Sequence, residues 1–271
     1  MEGAGQQIKN MSSNLLTNQF DRPDTAIRPI EPAQRTAAKV VGFLYLFQMA
    51  TAIFGQSYVR DQLIVHGDAT KTATNIIGAE RLFRLSIAGD LVTYTGVIVL
   101  IWAFYVLVRP VNKNLALLAV LFRLAETAVL CVATVSSLVV LRLLSGAGDL
   151  KTFEAGQLHS LATLALSVQG LGMNVGFILL GLGSTVFAYL LLKSRYVPKA
   201  LAAWGIFSSL VLAIVTWVIM VFPSLGDAVG LAYMGPMGLY EVGLGLWLLI
   251  KGIRGPIVAD SIALSGSHAK P

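Results

Sequence analysis

The chain has 271 residues, 56% of them apolar and 13% charged, against about 25% charged in soluble globular proteins. Its mean hydropathy of +0.74 excludes a disordered chain. One Cys and three His exclude a disulfide scaffold, a four-cysteine zinc site or a multi-haem bundle, so no cofactor is expected. The net charge of +6 comes from Lys and Arg gathered in tails and short loops. No basic run is interleaved with exposed aromatics, so no nucleic-acid partner is expected.

Residues 1–35 are polar and broken by Pro23, Pro29 and Pro32. With no apolar leader segment and no Met-Gly start, they read as a flexible cytoplasmic tail. Apolar windows follow at Ala37–Phe54, Leu85–Val108, Leu115–Leu141, Leu161–Leu192, Leu201–Phe222 and Leu231–Ile250. A spanning helix needs about 20 residues, so the expected fold is all-α, a polytopic transmembrane bundle of six helices over residues 36–254, with seven as the alternative count. The window from Leu161 is overlong, and it forms either one long helix or two segments. Residues 255–271 read as a second cytoplasmic tail.

Orientation follows from the basic residues. Thirteen fall in the tails and in the loops around Arg109 and Arg195, six in the opposite loops, and Arg123 lies within a span. The positive-inside bias therefore puts both termini in the cytoplasm. The first outer loop, from Gly55 to about Glu80, is long. Asp68 ahead of Ala69-Thr70-Lys71 is placed to cap a helix, so the second helix is expected to begin there and stand above the membrane before entering it. A ligand-binding lid is the alternative.

Several motifs carry a resemblance. Asn75-Ile76-Ile77-Gly78-Ala79-Glu80-Arg81-Leu82-Phe83-Arg84, the upstream Gly67-Asp68-Ala69 and the downstream Arg109-Pro110-Val111-Asn112 resemble a bacterial integral-membrane family known as domain of unknown function 4386. Phe122-Arg123-Leu124, Gly181, Leu191-Leu192-Lys193-Ser194, Pro198, and Glu241 with Leu246-Trp247-Leu248-Leu249-Ile250-Lys251-Gly252 extend the likeness across about residues 36–254. The resemblance implies a six- or seven-helix membrane fold in a bacterial inner membrane. It implies no activity.

Candidate function therefore rests on ionisable groups within spans, which cost roughly 2.5 to 3.5 kcal/mol each on insertion scales and mark sites. At 1.5 Å per residue, Arg123 lies about 15 Å deep, Glu126 about 20 Å, Glu241 about 15 Å and Gln48 about 14 Å. In a core about 30 Å thick all four are near the midplane. Arg123 and Glu126 are spaced for an i,i+3 ion pair, with Ser137 continuing the Glu126 face. One positive charge against Glu126 and Glu241 leaves one carboxylate without a charged partner. That carboxylate could serve as a proton relay, a cation site or a polar clamp fixing helix register. Gly238 and Gly245 flank Glu241 at helical spacing, and Gly235-Pro236 is expected to kink or break the last span, as beside transporter sites. Ordinary small-residue packing is the alternative.

A second polar set forms a candidate outer vestibule of Glu80, Arg84, Asp90 and Asn174, with Ser167 and Gln169 nearby. Glu80 and Arg84 suit an i,i+4 pair, and Gly172 with Gly176 would admit a neighbouring helix. Interfacial polarity is the plainer reading. Cys131 reads as a small core residue, and His66 beside Asp68 as a surface residue. No phosphate loop, zinc-protease motif or nucleophile elbow occurs, Gly181-Leu182-Gly183-Ser184 included, and no mid-span Lys could carry a Schiff base.

Two function classes follow. One is a carrier or receptor for a small polar or amphiphilic solute, proton-coupled through the midplane cluster, with Arg123 holding an anionic group and Glu126 or Glu241 exchanging a proton. The other is a non-enzymatic membrane partner or assembly subunit whose charges only fix packing. An embedded enzyme ranks third, since no nucleophile and base can be paired. The expected partners are the lipid bilayer and a small-molecule ligand, with oligomeric state left open.

Overall fold

Glu31 and Gln34 form a reciprocal capping box ahead of Pro32, whose fixed φ suits the first helical position. Helix α1 therefore starts within the segment expected to be tail. The computed structural model describes residues 30–254 apart from Leu231. The remainder of the two expected tails, 1–29 and 255–271, lies outside the described residues.

Helix α1 runs Pro32–Leu63 and is wound as a π-helix over Phe54–Arg60. The expected loop from Gly55 is thus corrected. The wider turns keep the backbone hydrogen-bonded for two further turns, and Gly55 leaves room for the Arg60 guanidinium, which a Cβ would meet at 3.3 Å. Asp68 caps α2, Ala69–Gly78, by accepting from the Lys71 amide at 2.8 Å. The second helix does not continue from there as one rod. The backbone breaks at Ala79 (φ −122°, ψ 33°), and α3, Glu80–Val108, begins anew. Asn75 Nδ2 donates to the Leu63 carbonyl at 3.2 Å, which ties α2 to the end of α1.

Asn112 caps α4, Lys113–Leu143. A Glu154/Gln157 capping box opens α5, Ala155–Ser194, a single 40-residue helix. It is about 60 Å long, so the overlong window is one helix that overshoots a 30 Å core. Helix α6 spans Lys199–Val221, α7 Pro223–Val229 and α8 Gly235–Ile250.

Among the described residues all regular structure is helical, and five helices, α1 and α3 to α6, are long and apolar enough to cross a membrane. The sixth window yields only the 16 residues of α8, about 24 Å. Gly235-Pro236 does not interrupt this helix; it opens it, where the missing proline N–H would be unpaired in any case.

Contacts run α1 to α3, α4, α5, α6 and α8, and α8 returns to α1. These six helices close a ring. The closure is tight: a Cβ on Gly42 would lie 2.8 Å from the Gly245 carbonyl oxygen, so α1 and α8 touch backbone to backbone. Buried apolar residues form two clusters. The larger packs Ala37–Tyr45 of α1 with Leu100–Val108 of α3, Ala116 and Ala119 of α4 and Phe187–Leu191 of α5. The smaller joins Val59, Leu63, Ile76, Phe83, Ile87, Val140, Leu141 and Ala162. The positions between them carry the polar groups.

Candidate functional site

On α3, α4 and α5 the residues between the two apolar clusters line cavities. Apolar side chains pack toward each end of the bundle, while the layer between is incompletely filled. Its larger chamber, about 480 Å³, is walled by Thr93 and Tyr94 of α3, Leu130 of α4, Gln169 and Asn174 of α5, and Arg60 with Asp90. A deeper recess of about 160 Å³ holds Gln48, Arg123, Glu126 and Glu241. Ala52, Thr93, Tyr94, Leu130 and Phe177 line both spaces, so the two adjoin. Toward the other end, Gln56, Arg60 and Ile64 are shared with a third recess that reaches exposed His66. Ala52 and Gly170 line the chamber and are also exposed on the flank of the bundle.

The structure brings the four midplane residues to one recess. Arg123 and Glu126, 2% and 4% exposed, stand at 2.8 Å from Nη1 to Oε2. The charges touch, but the N–H is not aimed at the oxygen, and both atoms are buried without a hydrogen bond. The contact is an ion pair only. Gly183 makes it fit, since a Cβ there would lie 2.8 Å from Arg123 Cγ. Gln48 Nε2 donates to Glu241 Oε2 at 3.0 Å, and among the described residues no basic group reaches ion-pair distance of Glu241. The carboxylate left over in the charge count is therefore Glu241. Arg123, a candidate for holding an anionic group, is paired with Glu126 as its spacing predicts.

The outer set divides. Asp90 and Asn174 line the chamber, whereas Glu80 and Arg84 pair at 2.7 Å on the exposed surface, away from it. Asp90 is ion-paired with Arg60, a residue counted from the sequence only as a loop charge. Arg60 is buried, and its Nε has no hydrogen-bond partner. Ser137 Oγ donates to Gln169 Oε1 at 2.5 Å, joining α4 to α5 at the chamber wall. Among the described residues no three His, Cys, Asp or Glu side chains gather as metal ligands would.

A family model described as "Domain of unknown function (DUF4386)" matches residues 40–252. The chain belongs to this family. Neither a curated protein nor a solved structure matches it. The DUF4386 match spans every residue of the chamber and of the midplane recess, so the cavity layer is built entirely from the family domain.

Sequence reasoning missed Arg60 and Gln34 in this DUF4386 chain. Gln34 Nε2 donates to the Leu107 carbonyl at 3.1 Å and to Tyr196 Oη at 3.0 Å, joining α1 to α3 and to the connection between α5 and α6 at the end opposite His66. No pattern in the sequence marks a π-helical extension of α1, and without it Arg60 reads as loop. The usable signal for Arg60 is Asp90, an acid inside an apolar window that needs a basic partner.

Proposed function

We propose that the chain is a membrane-embedded binding protein, a carrier or receptor, for a small amphiphilic solute. The observation that carries this reading is the unfilled layer between two packed apolar clusters. The chamber's 480 Å³ lies within the range of about 300 to 1,000 Å³ usual for small-molecule sites. A polytopic protein whose charged residues only fixed packing would be expected to close over them. Ala52 and Gly170 open the chamber sideways, toward the bilayer, which suits a solute that partitions into lipid. In a carrier, Glu241 is the group placed to exchange a proton. A bacterial inner membrane, as the family resemblance implies, completes the proposal, with both termini cytoplasmic as the thirteen-to-six distribution of basic residues supports.

The packing-subunit reading draws support from one observation, the sequestration of Arg123 and Glu126. The two readings separate on Gly170→Phe. Gly170 lines the chamber and a Cβ there meets no atom within 4 Å, so a bulky side chain can be introduced at the chamber's lateral opening. Octanol should raise the melting temperature of the wild-type protein in lipid nanodiscs and leave that of Gly170→Phe unmoved. If octanol, octylamine and octanoate all leave the wild type unchanged, the binding reading fails.

A further inference from the structure

We infer that the ligand is a hydrophobic amine, its ammonium group seated beside Glu241 in the midplane recess and its apolar body in the larger chamber. This rests on the binding reading above and adds the chemistry of the head group. Four further charged side chains line the two adjoining spaces, and they form two internal pairs, Arg60 with Asp90 and Arg123 with Glu126. Glu241, 7% exposed, is met only by the Gln48 amide, at Oε2. Among the described residues nothing donates to Oε1. The lining therefore has one carboxylate in excess, held in a low-dielectric setting where a compensating cation is worth far more than in water.

The surroundings of that carboxylate exclude other head groups. A carboxylate or phosphate would meet an excess negative charge and would find both guanidinium groups already paired. A hydroxyl could share the Oε1 lone pairs but would leave the charge uncompensated. An ammonium compensates it and donates to Oε1 in a charge-assisted hydrogen bond, one of the stronger kinds. Tyr94 and Phe177 line both spaces, and aromatic walls of this sort attract organic cations. The recess is about 160 Å³ and the chamber about 480 Å³, so a small head and a bulkier tail fit in that order. The apolar share of the chamber wall, from Ile64, Leu130, Leu166, Met173 and Phe177, is what such a tail requires.

The test uses the full chain in phosphatidylcholine nanodiscs, with empty nanodiscs as the partition control, and three probes of one chain length: octylamine, octanol and octanoate. The expected order of affinity is octylamine, then octanol, then octanoate. Glu241→Gln keeps the size and the Gln48 contact, and should weaken octylamine about tenfold or more while octanol is unchanged. The wild-type ranking is decisive even if the variant fails to fold. Octanol or octanoate binding as tightly as octylamine would overturn the amine assignment and leave the binding reading standing. So would a Glu241→Gln protein that keeps the full preference for octylamine. Absence of binding by all three would remove both.

Discussion

Gln48 Nε2 donates to Glu241 Oε2 at 3.0 Å, joining the first and last helices of the ring across 193 positions of sequence. Hydrogen bonds inside membranes contribute about 0.6 kcal/mol on average and at most about 1.7 kcal/mol in double-mutant cycles. Gln48→Leu and Glu241→Leu should therefore show a coupling in that range when combined, measured by denaturant unfolding in micelles. Additive costs would mean that the two side chains do not share a bond in the folded bundle.

The Arg123–Glu126 pair behaves differently, because both partners are charged and both are sequestered. Arg123→Met or Glu126→Leu alone strands an opposite charge in low dielectric, at a cost of about 3 to 5 kcal/mol. Replacing both together removes the stranded charge along with two polar atoms that already lack hydrogen bonds. The double variant should unfold at higher denaturant than either single variant. A double variant less stable than both singles would show that the charges act independently.

The helices and the midplane set are readable from composition and depth alone. Gln48, Arg123 and Glu241 fall at similar depths because a membrane helix advances 1.5 Å per residue along a nearly fixed axis. The Arg123–Glu126 pair needs only helical spacing. What pairs with what across helices is not readable this way, since rotation about each axis is set by side-chain packing. Hence the partner of Asp90 is not legible from the sequence: α1 winds on through π turns to bring Arg60 to it. Pro236 departs from its expected role for a related reason: a proline starts a helix as readily as it breaks one, and the difference lies in whether a helix precedes it. Here the preceding residues, Ala232–Met234, form a 3-10 turn.

The glycines around Glu241 are not equivalent. A Cβ on Gly42 would fall 2.8 Å from the Gly245 carbonyl and 3.1 Å from the Leu249 amide, both backbone atoms that cannot step aside. At Gly238 the nearest atom is the flexible end of Met49, at 3.6 Å. Gly42→Ala should therefore destabilise the bundle by about 1 to 3 kcal/mol through overpacking, while Gly238→Ala should be neutral or slightly stabilising through helix propensity. Unfolding midpoints in one detergent check both, and equal effects at the two sites would contradict the close α1–α8 contact.

The ring has two chemically distinct ends, and the orientation proposed here assigns each to one side of the membrane. At one end Gln34 ties α1 to the Leu107 carbonyl and Tyr196, and the Arg254 amide donates to the Tyr196 carbonyl at 2.9 Å. Lys113 and Arg195 lie beside these contacts in sequence and are exposed. At the other end are Gln62 and Asp149, also exposed. Since Cys131 is the single cysteine, Cys131→Ala gives a background for cysteines placed one at a time. In intact cells a membrane-impermeant maleimide should label Gln62→Cys and Asp149→Cys, and label Lys113→Cys and Arg195→Cys only after lysis. The reverse pattern would place both described ends of the chain outside the cytoplasm. It would also turn the recess at His66, which shares Gln56, Arg60 and Ile64 with the chamber, toward the cytoplasm.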